Sequence, residues 1–415
     1  MKAIIITIGD ELLIGQTIDT NSAWIGSELS RSGFDVIRII SIHDRREDIL
    51  TTLGEVTGKA DVVAITGGLG PTSDDITKQT LCEFFNTRLI TNKEILKHIT
   101  EMLKRRNFIM NDNNRRQAEV PENCRILNNE RGTAPGMWFE KEGTVFISMP
   151  GVPYEMKYLM SAQVIPELNK RFTSQVIIHK NIMTYGSFEA RLAEMLSGFE
   201  SELPSEIRLA YLPSSGIIKL RLTATGTDRG YLEEIVEKNT KKLYDIIPQY
   251  IYAEEEEPLE KAIGKLLLKS HKTICTAESC TGGEIAHMIT SVPGSSAYYN
   301  GSVIAYANTA KREILSVPAS LLEEKGAVSE DVVRAMAEGA RNKFHSDYSI
   351  ATSGIAGPDG GTAGKPVGTV WIAVASEGST TAVQLRFGND RQNNITRFTL
   401  ASLDLLRREI AKTTR

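Results

Sequence analysis

At 415 residues the chain is longer than one ordinary domain, so its length predicts two or three domains. The composition, with 41% hydrophobic and 24% charged residues, is that of a globular protein. A formal net charge of −4 argues against a general nucleic-acid binder, which would carry a basic excess. Residues 1–8 are too short for a membrane span or a secretory hydrophobic segment, and we interpret them as a buried strand.

The cysteines give no sign of a metal site or of a disulfide framework. The sequence has no Cys-x-x-Cys pair among its four cysteines, which are Cys82, Cys124, Cys275 and Cys280. We therefore expect reduced thiols in a cytoplasmic protein.

The first section alternates apolar strands with amphipathic helices, a pattern that predicts a doubly wound α/β domain with a mostly parallel sheet. The predicted strands are residues 3–8, 35–40, 62–66 and 144–148. The predicted helices are residues 22–31, 46–57, 75–85 and 93–106. Ligands of such sheets bind beyond the carboxyl ends of the strands, so the loops at those ends are the candidate binding loops.

Three loops at these strand ends are suited to a phosphate-bearing ligand, because glycines allow backbone N–H groups to approach phosphate closely. The candidate ligand-binding residues are Gly9, Gly15 and Asn21 in the first loop, Gly67, Gly68, Gly70 and Thr72 in the second, and Pro150 and Gly151 in the third. Arg115 lies in a polar insertion before the last strand. It is either a contact to anionic substrate or a solvated surface arginine.

Four aspartates near the same strand ends would repel a phosphate unless a cation lay between them. They are Asp10, Asp44, Asp74 and Asp75. A divalent ion such as Mg²⁺, bridging these carboxylates to phosphate oxygens, resolves that conflict. The alternative is that Asp74 caps a helix and Asp75 is an acid favoured by the dipole of the first turn.

These loops resemble the N-terminal domain of the CinA family, which looks like the molybdopterin-binding fold of the MoaB and MogA proteins. The matching segments are Gly9-Asp-Glu-Leu-Leu-Ile-Gly-Gln16, Asp19-Thr-Asn21, Thr66-Gly-Gly-Leu-Gly-Pro-Thr72, Asp74-Asp-Ile-Thr77, Gly132-Thr-Ala-Pro-Gly136 and Pro150-Gly-Val-Pro153. The resemblance implies divalent-metal-dependent hydrolysis of ADP-ribose to AMP and ribose 5-phosphate. The motifs alone indicate only metal plus phosphate, and a molybdopterin-binding or biosynthetic role is the alternative.

Residues 176–250 predict the order strand, helix, strand, strand, helix, with Lys219 and Arg221 alternating with apolar residues. This order resembles the KH-like middle domain of the same family. A KH module that binds nucleic acid uses a Gly-x-x-Gly loop, and this stretch of sequence contains none. We expect a spacer or a dimer contact, with a nucleic-acid-associated competence factor as the alternative.

An acidic run that ends in a proline, residues 253–258, predicts a solvated linker. The predicted domains are accordingly residues 1–172, 173–252 and 259–415. In the last of them we predict strands near residues 273, 303, 349, 370 and 381, and helices at 259–269, near 284 and 330, and at 395–412. This repeat again indicates a sheet with helices on both faces.

The last domain contains a hydroxyl group at a strand-to-helix turn, a placement typical of a nucleophile or an anion site. Ser279 lies there, and the N–H groups of Thr281, Gly282 and Gly283 are candidate donors to an oxyanion. Lys311 follows the next strand and is the candidate base, since Ser-Lys pairs are a known form of activated serine. The alternative is that Ser279 caps a helix and Lys311 is an ordinary surface lysine.

This domain resembles the C-terminal domain of CinA proteins, also found as the stand-alone bacterial nicotinamide mononucleotide deamidase. The matching segments are Ala277-Glu-Ser-Cys-Thr-Gly-Gly283, Gly301-Ser-Val-Ile-Ala-Tyr-Ala-Asn308 with Lys311, Gly326-Ala-Val-Ser329, Thr352-Ser-Gly-Ile-Ala-Gly-Pro358, Lys365-Pro-Val-Gly-Thr-Val370 and Asp390-Arg391. The chain departs from the family's Gly-Asp-Arg by having Gly388-Asn-Asp-Arg391.

The resemblance covers essentially the whole chain and implies a bifunctional pyridine-nucleotide salvage enzyme, a cytoplasmic homodimer without nucleic-acid or membrane partners. Its substrates would be nicotinamide mononucleotide and ADP-ribose, and only the N-terminal activity would need a metal. Ser279 would attack the carboxamide and Lys311 would accept its proton. The other implied residues are Tyr306 and Asn308, which would orient Lys311, and Thr352, Ser353, Gly354 and Arg391, which would hold phosphate and ribose.

Overall fold

A computed structural model describes residues 1–70, 75–105, 107–172, 176–214 and 216–413, without the side chain of residue 413. The chain divides into two compact units, Met1–His179 with Ala224–Glu234, and Lys180–Thr223 with Ile235–Arg415. The predicted domain limits stay a prediction. Among the described residues, no helix combines the length and the apolar character needed to cross a membrane.

The first section forms the α/β domain that the sequence pattern predicts. Its strands are β1 (Lys2–Ile8), β2 (Asp35–Ile42), β3 (Val62–Thr66), β4 (Leu89–Thr91), β5 (Glu119–Pro121), β6 (Arg125–Leu127), β7 (Gly136–Lys141) and β8 (Thr144–Met149). Its helices are α1 (Asp10–Leu13), α2 (Thr20–Arg31), α3 (Arg46–Val56), α4 (Thr77–Phe84), α5 (Lys93–Arg105), α6 (Asp112–Arg116), α7 (Pro153–Leu159) and α8 (Ile165–Arg171), with a π-helical turn at Met160–Val164.

The main sheet of this section has the order β2-β1-β3-β8-β7-β6 and apolar clusters on both faces. Alternation along β1 places Ile5 against Leu29 of α2, and Ile4 with Ile6 in the cluster that contains Leu53 of α3. The doubly wound fold is therefore confirmed. The sheet is parallel from β2 to β8, whereas β7 and β6 are antiparallel, a hairpin extension that the sequence pattern did not predict.

The middle section has the predicted KH-like order of five elements and adds a short final strand, β12 (Ile251–Ala253), that was not predicted. The five are β9 (Val176–Tyr185), α9 (Glu189–Ser201), β10 (Ile207–Ser214), β11 (Ile217–Gly226) and α10 (Arg229–Ile246), and the sheet order is β10-β11-β9-β12.

In the acidic run at residues 253–258, Glu254, Glu255 and Glu256 are exposed as the prediction of a solvated segment requires, whereas Glu257 is buried. Glu254 lies 2.7 Å from Lys180, and Glu256 lies 2.8 Å from Lys219. The Glu257 side chain is only 9% exposed and accepts a hydrogen bond from Lys265 at 2.6 Å. The pairing of β12 with β9 brings Glu254 and Glu256 to lysines that lie far away in sequence, whereas Lys265 is a local partner eight residues after Glu257.

The last section has a five-stranded sheet in the order β14-β13-β15-β16-β17, with β14, β13 and β15 parallel and the other two antiparallel. The strands are β13 (Ile274–Glu278), β14 (Tyr299–Ile304), β15 (Tyr348–Gly354), β16 (Thr369–Ser376) and β17 (Ser379–Arg386). The helices are α11 (Leu259–Ser270), α12 (Glu284–Thr290), α13 (Asn308–Leu315), α14 (Ala319–Lys325), α15 (Glu330–Phe344) and α16 (Arg391–Thr413).

Helices cover both faces of this sheet, as predicted. The apolar stripe of α16, with Leu403, Leu406 and Ile410, is buried together with residues of α11 and α12. The opposite face packs against α13 and α15. Since β13 lies between β14 and β15, the turn that follows it begins at an interior strand of the sheet.

A buried ion pair fastens α16 to the segment around β12. Arg407 donates to Asp404 at 2.8 Å and to the carbonyl oxygens of Gln249 and Ile251 at 2.8 and 3.1 Å. The side chains of Arg407 and Asp404 are only 9% and 4% exposed, so solvent screens the pair weakly.

We expect Arg407→Met to destabilise the unit that contains both residues. The substitution leaves the buried Asp404 carboxylate without its Arg407 partner, and breaking a buried ion pair in this way lowers the free energy of unfolding by about 3 kcal/mol or more. Arg408 also contacts Asp404, which places the loss at the lower end of that range. Thermal unfolding followed by circular dichroism measures the effect, with Arg408→Met as the milder comparison. An unchanged melting temperature in Arg407→Met would contradict the assignment.

Candidate active sites

Ser279 and Lys311 meet at the carboxyl end of the C-terminal sheet. Ser279 follows β13 directly, and its N–H donates to the carbonyl oxygen of Thr352 on β15 at 3.1 Å. Lys311 lies in the first turn of α13, after β14. Because β13 pairs with both β14 and β15, the two side chains converge, with 3.1 Å between Lys311 Nζ and Ser279 Oγ.

The Lys311 side chain is buried, and its amine is fixed by hydrogen bonds to main-chain carbonyl groups. Its side chain is only 1% exposed, and its Nζ also donates to the carbonyl oxygens of Ala305 at 2.9 Å and Tyr306 at 3.1 Å. Burial lowers the pKa of Lys311 below its usual value, because desolvation penalises the ammonium form. A neutral amine has two N–H bonds and one lone pair. When neutral Lys311 donates both N–H bonds to the carbonyl oxygens of Ala305 and Tyr306, its lone pair is directed at Ser279 Oγ.

The structural alternatives for this pair do not hold. Helix α12 begins at Glu284 with Gly283 as its N-cap, so Ser279 lies four residues outside the cap. Lys311 is buried rather than on the surface.

Tyr306 orients Lys311 through its carbonyl group rather than its side chain. The phenol is 62% exposed, and its oxygen lies 3.4 Å from Nη2 of Arg391. Arg391 also donates to the carbonyl oxygen of Gly357 at 2.7 Å, which directs its guanidinium towards Tyr306 despite the departure from the family's Gly-Asp-Arg. Asn308 is exposed at the first residue of α13, and no hydrogen bond joins it to Lys311 in the described part of the chain.

In the glycine turn, residues 279–283, two of the three N–H groups predicted to hold an oxyanion are already hydrogen-bonded within the protein, which corrects that prediction. Gly282 N–H donates to the Ser279 carbonyl oxygen at 3.2 Å, and Gly283 N–H donates to the Glu278 carboxylate at 3.0 Å. Within the described residues, Thr281 N–H makes no main-chain hydrogen bond, so it is the remaining oxyanion candidate of the three.

Sequence reasoning assigned no role to Glu278. The one signal in the sequence is an acid placed between an apolar strand and the glycine turn.

The hydroxyl groups predicted to hold phosphate lie inside the domain. Thr352 is fully buried, and its Oγ1 lies 2.8 Å from Oγ1 of Thr281. Ser353 donates to the carbonyl oxygen of Ala327 at 2.7 Å. A Cβ atom on Gly354 would come within 2.6 Å of the Thr369 carbonyl oxygen. The geometry supports a structural role for these residues beneath the turn, and their contact with substrate stays a prediction.

Cys280, next to Ser279, is not an activated nucleophile. Its side chain is buried, and burial raises the pKa of its thiol to about 12. A thiol in that state supplies almost no thiolate near neutral pH.

In the N-terminal domain, the predicted glycine loops line a cleft of about 340 Å³ at the carboxyl ends of the strands. Predicted residues on its wall are Asn21, Gly67, Gly68, Gly70, Gly151 and Asp75. Asn21 Nδ2 donates to the Gly151 carbonyl oxygen at 2.7 Å and so ties the first loop to the third. Gly67 is required by the close packing, since a Cβ atom there would lie 2.0 Å from the Ile8 carbonyl oxygen.

Other predicted residues lie outside the wall of this cleft. Gly9, Gly15 and Pro150 lie in the same loops, with the Pro150 carbonyl oxygen accepting from Thr66 Oγ1 at 2.9 Å. Arg115 is exposed on the short helix α6. Thr72 and Asp74 lie outside the described residues.

Three predicted metal-binding aspartates can be located. Asp10 pairs with His43 at 2.7 Å, and this hydrogen bond is the main reason that the pKa of Asp10 is lowered. Asp44 accepts from Thr77 Oγ1 at 3.3 Å. Asp75 accepts from Gly70 N–H at 2.8 Å and precedes α4, which starts at Thr77, so it supports the glycine loop and is not the first-turn acid of the alternative.

The donors near this loop fit a hard divalent cation. The position that a Cβ atom of Gly68 would take lies 3.0 Å from Asp44 Oδ2, which places this carboxylate beside the glycine loop. No group of three His, Cys, Asp or Glu side chains able to hold a metal exists among the described residues. Mg²⁺ commonly uses one or two carboxylates and takes its other ligands from water and substrate phosphate, and Asp44 and Asp75 suit that mode.

The structure defines a multidomain α/β protein with a glycine-lined cleft in one domain and a buried serine–lysine pair in another. Three family models match successive parts of the chain. They are a probable molybdopterin binding domain over residues 4–170, the damage-inducible protein CinA KH domain over 179–253, and the CinA C-terminal domain over 256–410. The chain belongs to the CinA family.

Full-length relatives carry the same assignment. A CinA-like protein of Cytophaga hutchinsonii is 48% identical over 98% of this chain and 97% of its own length. A CinA-like protein of Flavobacterium psychrophilum is 47% identical over 99% of each chain. The described N-terminal, middle and C-terminal sections are thus the molybdopterin-binding-like, KH-like and CinA C-terminal parts of such a protein.

Solved structures match parts of the chain. The competence/damage inducible protein CihA from Agrobacterium tumefaciens is 36% identical, covering 36% of this chain and 91% of that chain, with a TM-score of 0.35. The molybdopterin biosynthesis enzyme MoaB from Thermus thermophilus is 18% identical, covering 40% of this chain and 91% of that chain, with a TM-score of 0.28.

Proposed function

We propose that the C-terminal domain hydrolyses the carboxamide of nicotinamide mononucleotide to nicotinate mononucleotide and ammonia. The observation that carries the proposal is the 3.1 Å contact between Ser279 Oγ and the buried Lys311 Nζ. Hydrolysis by a serine nucleophile requires a nearby base that is unprotonated at the working pH, and burial favours the neutral form of Lys311 by lowering its pKa.

In the proposed reaction, neutral Lys311 takes the proton of Ser279 while Oγ bonds to the amide carbon. The resulting oxyanion is stabilised by main-chain N–H groups, with Thr281 the candidate donor. The Lys311 ammonium then protonates the amide nitrogen, the C–N bond breaks and ammonia leaves. Water, deprotonated by neutral Lys311, attacks the acyl-serine, and the proton returns to Ser279 Oγ as nicotinate mononucleotide is released.

The side chains around Ser279 and Lys311 suit a substrate that has both a pyridine ring and a separate phosphate group. Ile304 and Tyr306 are 54% and 62% exposed, and Ile304 Cδ1 lies 3.0 Å from the Cβ position of Gly283. Exposed apolar and aromatic side chains at this turn offer contact to a pyridine ring. Arg391, beside the Tyr306 phenol, supplies the cation for the phosphate.

We expect kcat/KM for ammonia release to rise with pH as Lys311 loses its proton, because only the neutral amine accepts the Ser279 proton. Burial lowers the pKa of Lys311 from the ordinary 10.5, so the midpoint of this rise should lie below pH 10.5. The pH dependence of kcat/KM measures it, with circular dichroism at each pH as the control for folding. Activity that falls as pH rises from 6 to 9 in folded protein would contradict Lys311 as the base.

We propose a second activity, metal-dependent hydrolysis of ADP-ribose to AMP and ribose 5-phosphate in the N-terminal cleft. Support comes from the convergence of Gly67, Gly68 and Gly151 on one cleft that also contains Asp75. A divalent ion would neutralise charge on the pyrophosphate oxygens. Asp44 and Asp75 would hold the ion, and the glycine N–H groups would contact phosphate.

The deciding experiment incubates purified protein with nicotinamide mononucleotide and with ADP-ribose, each with Mg²⁺ or with EDTA. Ammonia is measured in the first reaction and AMP in the second. No ammonia in any arm would overturn the deamidase proposal, and no AMP with Mg²⁺ would overturn the second. Molybdopterin binding without either product would favour the alternative taken from the N-terminal domain. We also propose a cytoplasmic homodimer, which light scattering and cell fractionation would test.

A further inference from the structure

The carboxylate of Glu278 closes β13 and is completely buried, immediately before Ser279. Its donors are the N–H groups of Gly283 at 3.0 Å, Ile285 at 3.1 Å and Ala286 at 2.8 Å, and the hydroxyl group of Thr281 at 2.8 Å. The reaction steps proposed above give this side chain no role.

The three N–H groups belong to the turn and the start of α12, where main-chain donors lack partners within the helix. An anion is stabilised at such a position. The chain supplies the anion itself, so this end of α12 is closed to the phosphate of a ligand.

The contacts of Glu278 lead to Ser279 through a second strand. Thr281 Oγ1, which donates to Glu278, lies 2.8 Å from Thr352 Oγ1 on β15. The carbonyl oxygen of Thr352 accepts Ser279 N–H at 3.1 Å. Ser279 is therefore fixed on one side by β15 and on the other by a turn wrapped around the carboxylate.

We propose that Glu278 is a positioning residue of the Ser279–Lys311 site: its carboxylate is an internal anion that holds residues 279–283 so that Ser279 Oγ remains beside Lys311 Nζ. The inference rests on the proposed amide hydrolysis, but its effect is on the reactivity of Ser279 itself. A misplacement of about 1 Å at a reacting group can lower a rate by about 10²-fold.

The test measures how fast a fluorophosphonate labels Ser279, together with kcat and KM for ammonia release. In Glu278→Gln one carboxylate oxygen becomes an NH₂ group that faces donors, so contacts to the turn are lost. We expect the labelling rate and kcat each to fall by about 10²-fold, with KM within about threefold of wild type. Glu284→Gln, which removes a carboxylate from the first turn of the same helix, is the matched control and should label at the wild-type rate.

Glu278→Ala provides a rescue test, because it leaves the N–H groups of Gly283, Ile285 and Ala286 around a space of side-chain size. Added formate should restore labelling in a saturable way, and chloride at equal ionic strength should not. A residue needed only for stability would lower the melting temperature and leave the labelling rate of folded protein unchanged.

A wild-type labelling rate in folded Glu278→Gln would overturn the inference, as would a folded Glu278→Ala that formate does not rescue. Where Glu278→Ala does not fold, Thr281→Val replaces it, and slow labelling is again the expected result. A wild-type protein that labels at Ser279 but releases no ammonia would overturn the proposed function alone. The labelling rates of the variants would still decide the role of Glu278.

Discussion

Ser279→Ala is expected to abolish ammonia release from nicotinamide mononucleotide, with a loss of at least about 10⁴-fold in kcat. The hydroxyl is the group that Lys311 contacts at 3.1 Å, and alanine leaves the buried lysine with no nucleophile to activate. Folding should be little affected, since the main-chain hydrogen bond from residue 279 to Thr352 is kept. Hydrolysis of ADP-ribose, which we place in another domain, should continue at the wild-type rate.

Lys311→Met should give a loss of similar size, and the double variant should be no worse than either single one, because nucleophile and base act as a unit. Methionine fills most of the buried space. It leaves the Ala305 and Tyr306 carbonyl groups without their donor, which makes a melting-temperature control necessary.

Cys280→Ala is the matched control for the neighbouring nucleophile. It should retain nearly full activity, given the high pKa of that thiol. Ammonia release that survives in Ser279→Ala and disappears in Cys280→Ala would overturn the assignment of the nucleophile.

Chelation is expected to have the second large effect, stopping AMP formation from ADP-ribose while ammonia release continues. Pyrophosphate hydrolysis needs charge neutralised on the bridging oxygens, whereas the serine–lysine reaction that we propose includes no step that needs a metal. Asp75→Asn should reproduce the loss at about 10²-fold or more without chelator. Asparagine keeps an oxygen that can accept Gly70 N–H, so the loop contact survives while the charge is removed.

Asp61→Asn is the matched control, since this acid precedes β3 at the amino end of the strand and binds the N–H of Lys2. It should hydrolyse ADP-ribose at the wild-type rate. Equal rates in Asp75→Asn and wild type at matched Mg²⁺ would contradict a metal role for Asp75. Loss of ammonia release in EDTA would contradict a metal-free deamidase.

The predicted elements that the structure confirms are those whose patterns are local. β3 has the predicted limits, 62–66, because a buried parallel strand appears in the sequence as an unbroken apolar run. The stripe of α16 and the order of elements in the middle section follow from periodicity in the same way. The pair of Ser279 and Lys311 was also predicted, since Ser279 directly follows one strand of a mostly parallel sheet and Lys311 lies in the segment that follows another.

Other features depended on contacts between residues far apart in sequence. The antiparallel hairpin of β6 and β7 and the pairing of Glu254 with Lys180 follow from strand pairing, for which the local pattern carries little signal. Asp75 was predicted inside a helix, but its acceptor role towards Gly70 holds it before α4.

The sequence alone determined the class of fold and which residues follow the strands, because hydrophobic periodicity and glycine placement are encoded residue by residue. The tertiary structure decided what those residues do. Burial of its side chain against Ser279 and the carbonyl groups of Ala305 and Tyr306 made Lys311 a candidate base instead of a surface lysine. The carboxylate of Glu278 binds the N–H groups at the start of α12, where the sequence pattern predicted a site for an external anion. Both outcomes depend on desolvation and on donors brought together from separate strands and helices, and these are properties of the folded chain.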